Sequence, residues 1–130
     1  MSACPNHDVI LVEKLKQHYS ENDVIVIKKD NLGIYMVKRV IGVPGDRIQI
    51  KNGKVYKNGI PDELDTYGIE EMQYSGTAEY SITLKEGEYF CLGDNRNHSE
   101  DSRYGDVGII KEDEIVGHAF VKIFPGIKIL

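Results

Sequence analysis

The sequence predicts a mainly β fold, antiparallel coiled sheets or a barrel, with few or no helices. Two observations carry this. Short runs of β-branched residues recur along the chain, each bounded by Gly, Asn or Asp, and such runs favour extended backbone. Between several of them stand Asn-Gly or Pro-Gly pairs, which turn the chain tightly enough for neighbouring strands to pair. Many short strands with little helix between them make a barrel or a set of coiled sheets. At 130 residues the chain fits a single domain over 1–130, able to bury a core without a metal or disulfide staple.

The elements follow in order. Asp8-Val-Ile-Leu-Val-Glu13, Asp23-Val-Ile-Val-Ile-Lys28 and Gly33-Ile-Tyr-Met-Val-Lys-Arg-Val-Ile-Gly42 read as three strands. Lys14 to Asn22 is polar and short, open to either a helical turn or a loop. Val43-Pro44-Gly45-Asp46 is a turn, because Pro presets φ, Gly accepts positive φ and Asp bonds nearby amides. Arg47 to Lys51 alternates as a strand, turns at Asn52-Gly53, returns over Lys54 to Lys57 and turns again at Asn58-Gly59. Residues 61–79 are acidic, turn-rich and without periodicity, which reads as an exposed excursion. Glu79 to Leu84 alternates weakly, and Glu88 to Leu92 is a clearer apolar strand. A polar loop covers Gly93 to Gly108. A helix-like Lys111 to Glu114 follows, and Ile115 to Phe124 closes the chain as a strand stopped by Pro125-Gly126.

Composition excludes several classes. Lys and Arg number 16 against 21 Asp and Glu, a net charge of −5, and an acidic chain without a basic stripe is a poor nucleic-acid binder. No run approaches the roughly 18 apolar residues of a membrane-spanning helix, and no signal peptide opens the chain. His7, His18, His98 and His118 are scattered, with no C-x-x-C or H-x-x-x-H spacing, so zinc held by Cys and His is not expected. Cys4 and Cys91 allow one disulfide without fixing it.

Chemistry concentrates in two places. Lys38 lies among apolar neighbours, and strand alternation sets Met36, Lys38 and Val40 on one face with Val37, Arg39 and Ile41 on the other. A lysine on a buried face loses proton affinity, and a neutral amine serves as a general base. The loop Gly93-Asp-Asn-Arg-Asn-His-Ser-Glu-Asp-Ser-Arg103 brings Asp94, Arg96, Ser99, Asp101, Ser102 and Arg103 into one stretch. Such side chains lock a loop by bonding one another, and Asp101 with Arg103 makes a charged pair.

Together these segments resemble the type I signal peptidases, the serine–lysine leader peptidases. Tyr35-Met-Val-Lys-Arg-Val-Ile-Gly-Val-Pro-Gly-Asp46 is similar to the family's lysine box, and Gly93 to Arg103 to its last signature box. Asn22-Asp-Val-Ile-Val-Ile27 resembles its Gly-Asp strand, and Ile115-Val-Gly-His-Ala119 with Phe124-Pro125 its usual ending. The resemblance implies the family's antiparallel β architecture and a Ser/Lys peptidase, requiring no metal or cofactor, that acts on exported preproteins with Ala-x-Ala signal peptides. Lys38 would be the base and Ser99 would orient its amine. Asp101 and Arg103 would form a buried pair shaping the site, while Asp94 and Arg96 brace the same loop. Extended substrate would add along the strand edge at Met36 and Val37.

The nucleophile box departs from the family's Ser-Met-x-Pro-Thr. Here Ser2-Ala-Cys-Pro-Asn6 stands in its place, with Ala3 for Met and Asn6 for Thr. Ser2 is then the nucleophile, or the serine falls before Met1, or the protein is an inactive relative that binds exported proteins as an assembly factor. The resemblance also implies the extracytoplasmic face of the membrane. The family's anchor is absent from these residues, and Ile34, Met36, Phe120 and Phe124 are candidates for an apolar surface toward the bilayer.

Overall fold

The computed structural model describes residues 10–14, 18–122 and 128–130. The first strands are β1 (Ile10–Glu13), β2 (Val24–Lys29) and β3 (Ile34–Gly42). A meander follows: β4 (Arg47–Lys51), β5 (Lys54–Lys57) and the short β6 (Ile60–Pro61). Then come β7 (Ile82–Thr83), β8 (Glu88–Leu92), β9 (Ile110–Lys111), β10 (Ile115–Lys122) and β11 (Lys128–Ile129). Every pairing among them is antiparallel. Helix, among the described residues, is confined to 3₁₀ turns at Gly76–Glu79, Arg96–His98 and Glu112–Glu114.

The strands make two sheets. The larger runs β1-β10-β2-β3-β8-β9, with β11 also on β10; the smaller runs β6-β5-β4-β7. Val24, Ile25, Val26 and Ile27 are all buried, because both faces of β2 are covered. Ile25 and Ile27 join Val40, Tyr89 and Cys91 in one core, while Val24 and Val26 pack with Ala119 in another. A third core, with Ile41, Ile48, Ile50, Val55, Leu84, Phe90 and Leu92, joins the two sheets. A Cβ on Gly42 would come within 2.7 Å of Leu84 and 2.8 Å of Ile48, so this close approach needs glycine. Asn52 (φ 53°) with Gly53 (φ 75°), and Asn58 (φ 55°) with Gly59 (φ 87°), both carry the double positive φ that a tight hairpin requires.

Charge also bridges the sheets. Lys57, at the end of β5, meets Glu21 in the turn before β2 and lies 3.3 Å from Asp46 after β3. Burial, then Asp62, raise the pKa of the Glu21 carboxyl to about 7 against the opposing pull of Lys57.

Several expectations change in detail. The weak strand at 79–84 shrinks to Ile82–Thr83. The helix-like 111–114 is a short extension of sheet followed by a 3₁₀ turn. After the Asn58-Gly59 turn, Ile60–Pro61 adds a short edge strand paired with β5; a proline is tolerated there because an edge residue need not donate. The largest correction concerns 61–79. Met72 and Ala78 are buried, and the Met72 amide donates to the Gly53 carbonyl at 2.9 Å. The segment is therefore stitched down along its inner side, its apolar anchors too few to show a period. Asp8, Val9 and the proposed strand end beyond Lys122 up to Phe124, with its Pro125-Gly126 stop, lie outside the described residues.

Candidate active site

Adjacent residues of β3 point to opposite sides, and this separates two charged systems. The Lys38 side chain lies on the face that also carries Met36 and Val40. Lys38 is only 6% exposed, and its Nζ donates to Ser99 Oγ at 2.9 Å. Burial lowers the Lys38 pKa; Asp101 opposes that shift and Arg103 adds to it. The cause is desolvation, since a charged ammonium loses hydration that one hydroxyl cannot replace.

Ser99 arrives from β8 through Gly93 and the 3₁₀ turn Arg96–His98, where the chain becomes extended again. Beyond it, Asp101 and Arg103 are 0% and 1% exposed. Arg103 Nε and Nη2 donate to the two Asp101 oxygens at 2.8 and 2.9 Å. The Gly93 amide donates to Asp101 Oδ2 at 3.1 Å. Arg103 Nη2 also reaches the carbonyls of Arg96 at 2.6 Å and Ser99 at 3.3 Å, and Nη1 that of Tyr74 at 3.1 Å. The pair thus ties both ends of the loop, and its charges have the extra bonds that a buried pair needs. Ser102 Oγ accepts from the Cys91 amide at 3.0 Å. Cys91 is a free, buried thiol, pushed upward in pKa by burial.

Asp94 and Arg96 each pair with a charged residue outside this loop. Asp94 is held by Arg39, from the opposite face of β3, through two bonds of 2.9 Å. The Arg39 guanidinium lies 3.6 Å from the ring centre of Tyr67. Arg96 pairs with Asp65 at 3.0 and 2.6 Å. Sequence reasoning missed Asp65 and Tyr67, because nothing local marks a residue in the 61–79 stretch as a partner. Arg39 carried a faint signal, a second charge inside an apolar strand.

Met36 and Val37 are half-buried on the same strand as Lys38. β3 pairs with β2 from Ile34 to Arg39, whereas β8 pairs with it only from Arg39 to Gly42. Among the described residues, no strand covers the other side of Ile34 to Lys38. The Val40 amide donates to Asp23 at 2.8 Å, toward β2. The two-residue period of a strand then turns the amide and carbonyl of Val37 toward the open side.

Ser2 and Cys4 lie outside the described residues, as does Phe124. Among the described residues no three His, Cys, Asp or Glu side chains group to hold a metal, and no helix is long and apolar enough to cross a membrane.

A family model for signal peptidase, peptidase S26, matches residues 1–124. The chain is 34% identical over 129 residues to the probable signal peptidase I-1 of Synechocystis sp., covering 91% of this chain and 63% of that protein. It is 38% identical over 125 residues to signal peptidase I U of Bacillus subtilis, covering 89% and 66%. The chain spans just under two thirds of the length of these curated relatives. A crystal structure of a signal peptidase I from Enterococcus faecalis matches with a TM-score of 0.64 and 29% identity, covering 83% of this chain and 98% of that one. The β architecture, the two signature stretches and these similarities agree: the chain belongs to the signal peptidase family, peptidase S26.

Proposed function

We propose that the protein is a signal peptidase I-type serine endopeptidase that removes N-terminal signal peptides from exported preproteins. The observation that carries this reading is the buried Lys38 amine, 2.9 Å from Ser99 Oγ. In the proposed reaction a serine hydroxyl, Ser2 in this sequence, attacks the scissile carbonyl while neutral Lys38 takes its proton. The resulting ammonium returns that proton to the departing amine. An acyl-enzyme remains, and a water deprotonated by Lys38 hydrolyses it. Ser99 keeps the amine aimed, and Asp101 with Arg103 holds the Ser99 loop.

The open side of β3 suits an extended substrate. A peptide adding there as a strand would bond the Val37 backbone, with Met36 and Val37 beside its small residues. An Ala-x-Ala pattern before the cut, and work at the extracytoplasmic membrane surface, complete the reading.

One experiment tests it. Lys38→Ala is expected to abolish cleavage of an Ala-x-Ala leader peptide while circular dichroism stays that of the parent. The parent rate should rise with pH as the amine loses its proton. Equal cleavage by Lys38→Ala overturns the mechanism. The altered box Ser2-Ala-Cys-Pro-Asn6 favours a second reading, an inactive relative that binds exported proteins. That reading requires peptide affinity without turnover, unchanged by Ser2→Ala.

A further inference from the structure

The turn that delivers Ser99 is held from outside by the acidic segment. Its first residue, Arg96, is 2% exposed and forms the two bonds to Asp65. Its second, Asn97, donates to the Glu71 carbonyl at 3.1 Å and accepts from the Gln73 amide at 2.9 Å. Gly68 lies flat on the same guanidinium: a Cβ there would meet Arg96 Cζ at 2.4 Å and Nε at 2.6 Å. On its inner side Arg96 Nε donates to the Gly93 carbonyl at 2.9 Å. Gly93 in turn is the floor beneath Ser99, with room for no side chain of its own.

These contacts form one line from Asp65 to Arg96, to Gly93, to Ser99 and to Lys38. We propose that Asp65 is a positioning residue, which fixes through Arg96 the turn that sets the Ser99 hydroxyl against the Lys38 amine. The proposal deepens the peptidase reading and rests on it for the role of Lys38. Asp65 is suited to the task because its carboxylate matches the guanidinium fork. A buried arginine deprived of that match must move toward water or another acceptor. The charged groups acting on the amine are Asp101, Arg103 and Glu100, with the Cys91 thiol beside them. Asp65 therefore acts on Lys38 through geometry.

The sign of the response separates the two routes. Removing a negative charge alone would lower the proton affinity of Lys38. Loosening Ser99 and admitting water to the amine would raise it. The Lys38 side chain is titrated by NMR in the full chain labelled with ¹³C-lysine, its signal assigned by its loss in Lys38→Met. Asp65→Asn is expected to shift the Lys38 titration upward, toward the ordinary lysine range, and Asp65→Glu to restore much of the parent value. Gly68→Ala, which changes no charge, is expected to shift it in the same direction, and carries the test if Asp65→Asn does not fold. An unchanged or lowered Lys38 titration in the folded variants overturns the proposal, even where thermal unfolding shows lost stability. Because the titration needs no substrate, it decides the role of Asp65 whether or not the parent cleaves a leader peptide.

Discussion

The α-carbon of Gly93 lies so close beneath Ser99 that a methyl group on it would stand 1.9 Å from Oγ and 2.6 Å from Cβ. The obstacle is a short side chain with no flexible end to swing away. Gly93→Ala is therefore expected to displace Ser99 and to cost about 1–3 kcal/mol of stability, the usual penalty of overpacking. Denaturant unfolding checks the stability. Loss of leader-peptide cleavage larger than the unfolded fraction explains would show that the displacement reaches Lys38.

Ser99→Ala removes the acceptor for the Lys38 amine and leaves the methylene in place. One hydrogen-bond partner of the Lys38 amine is lost, so stability should change by only about 1–2 kcal/mol. Activity should suffer more, falling by roughly 10–100-fold in kcat with KM little changed, because in the proposed mechanism Lys38 is then present but poorly aimed. Steady-state kinetics on an Ala-x-Ala peptide decide this. Parent-like kcat would mean that Lys38 needs no aiming by Ser99.

Asp101→Ala leaves the Arg103 guanidinium, 1% exposed, without its carboxylate. An uncompensated buried charge of this kind costs about 3–5 kcal/mol. Replacing both residues, Asp101→Ala with Arg103→Met, should be milder than the sum of the two single changes, since no charge is then stranded. A thermal melt of the three variants measures the coupling. Additive losses would show that the two residues act independently.

Glu21 gives the fold a pH dependence of definite sign. Its carboxyl is raised to about 7 by burial and by Asp62, so between the ordinary glutamate range and about 7 the folded chain holds a proton that the unfolded chain has lost. The stabilising contribution is full below that ordinary range and is lost as pH rises through about 7. Glu21→Gln should therefore remove a decline in stability across this window. Urea unfolding of parent and variant at several pH values reads the difference. Parallel curves would mean that the Glu21 carboxyl titrates alike folded and unfolded.

The strands were legible because their cues are local. Val24 to Ile27 is apolar without a break, and Asn52-Gly53 and Asn58-Gly59 need no distant partner to turn. The lysine box and the last signature box were legible as patterns, and alternation separated Lys38 from Arg39. Depth was not legible: period two says which face Lys38 occupies, and only the arrangement of β3 against β8 says that the face is closed. Asp65 and Tyr67 escaped for a related reason. Their partners, Arg96 and Arg39, lie 31 and 28 residues away, and nothing in an aperiodic acidic stretch distinguishes a carboxylate that grips an arginine from one in water.

Lys38 and Ser99 are 61 residues apart in the chain, and the meander and the acidic segment both lie between them. Contacts of such span form late, since loop closure must come first. Until β8 docks on β3, the Lys38 amine is hydrated and carries its proton like any other lysine. The chemical character proposed for Lys38 is thus a product of the completed fold, and an unfolded chain carries an ordinary lysine in its place. The surroundings that lower its proton affinity are supplied by contacts between parts of the chain far apart in sequence.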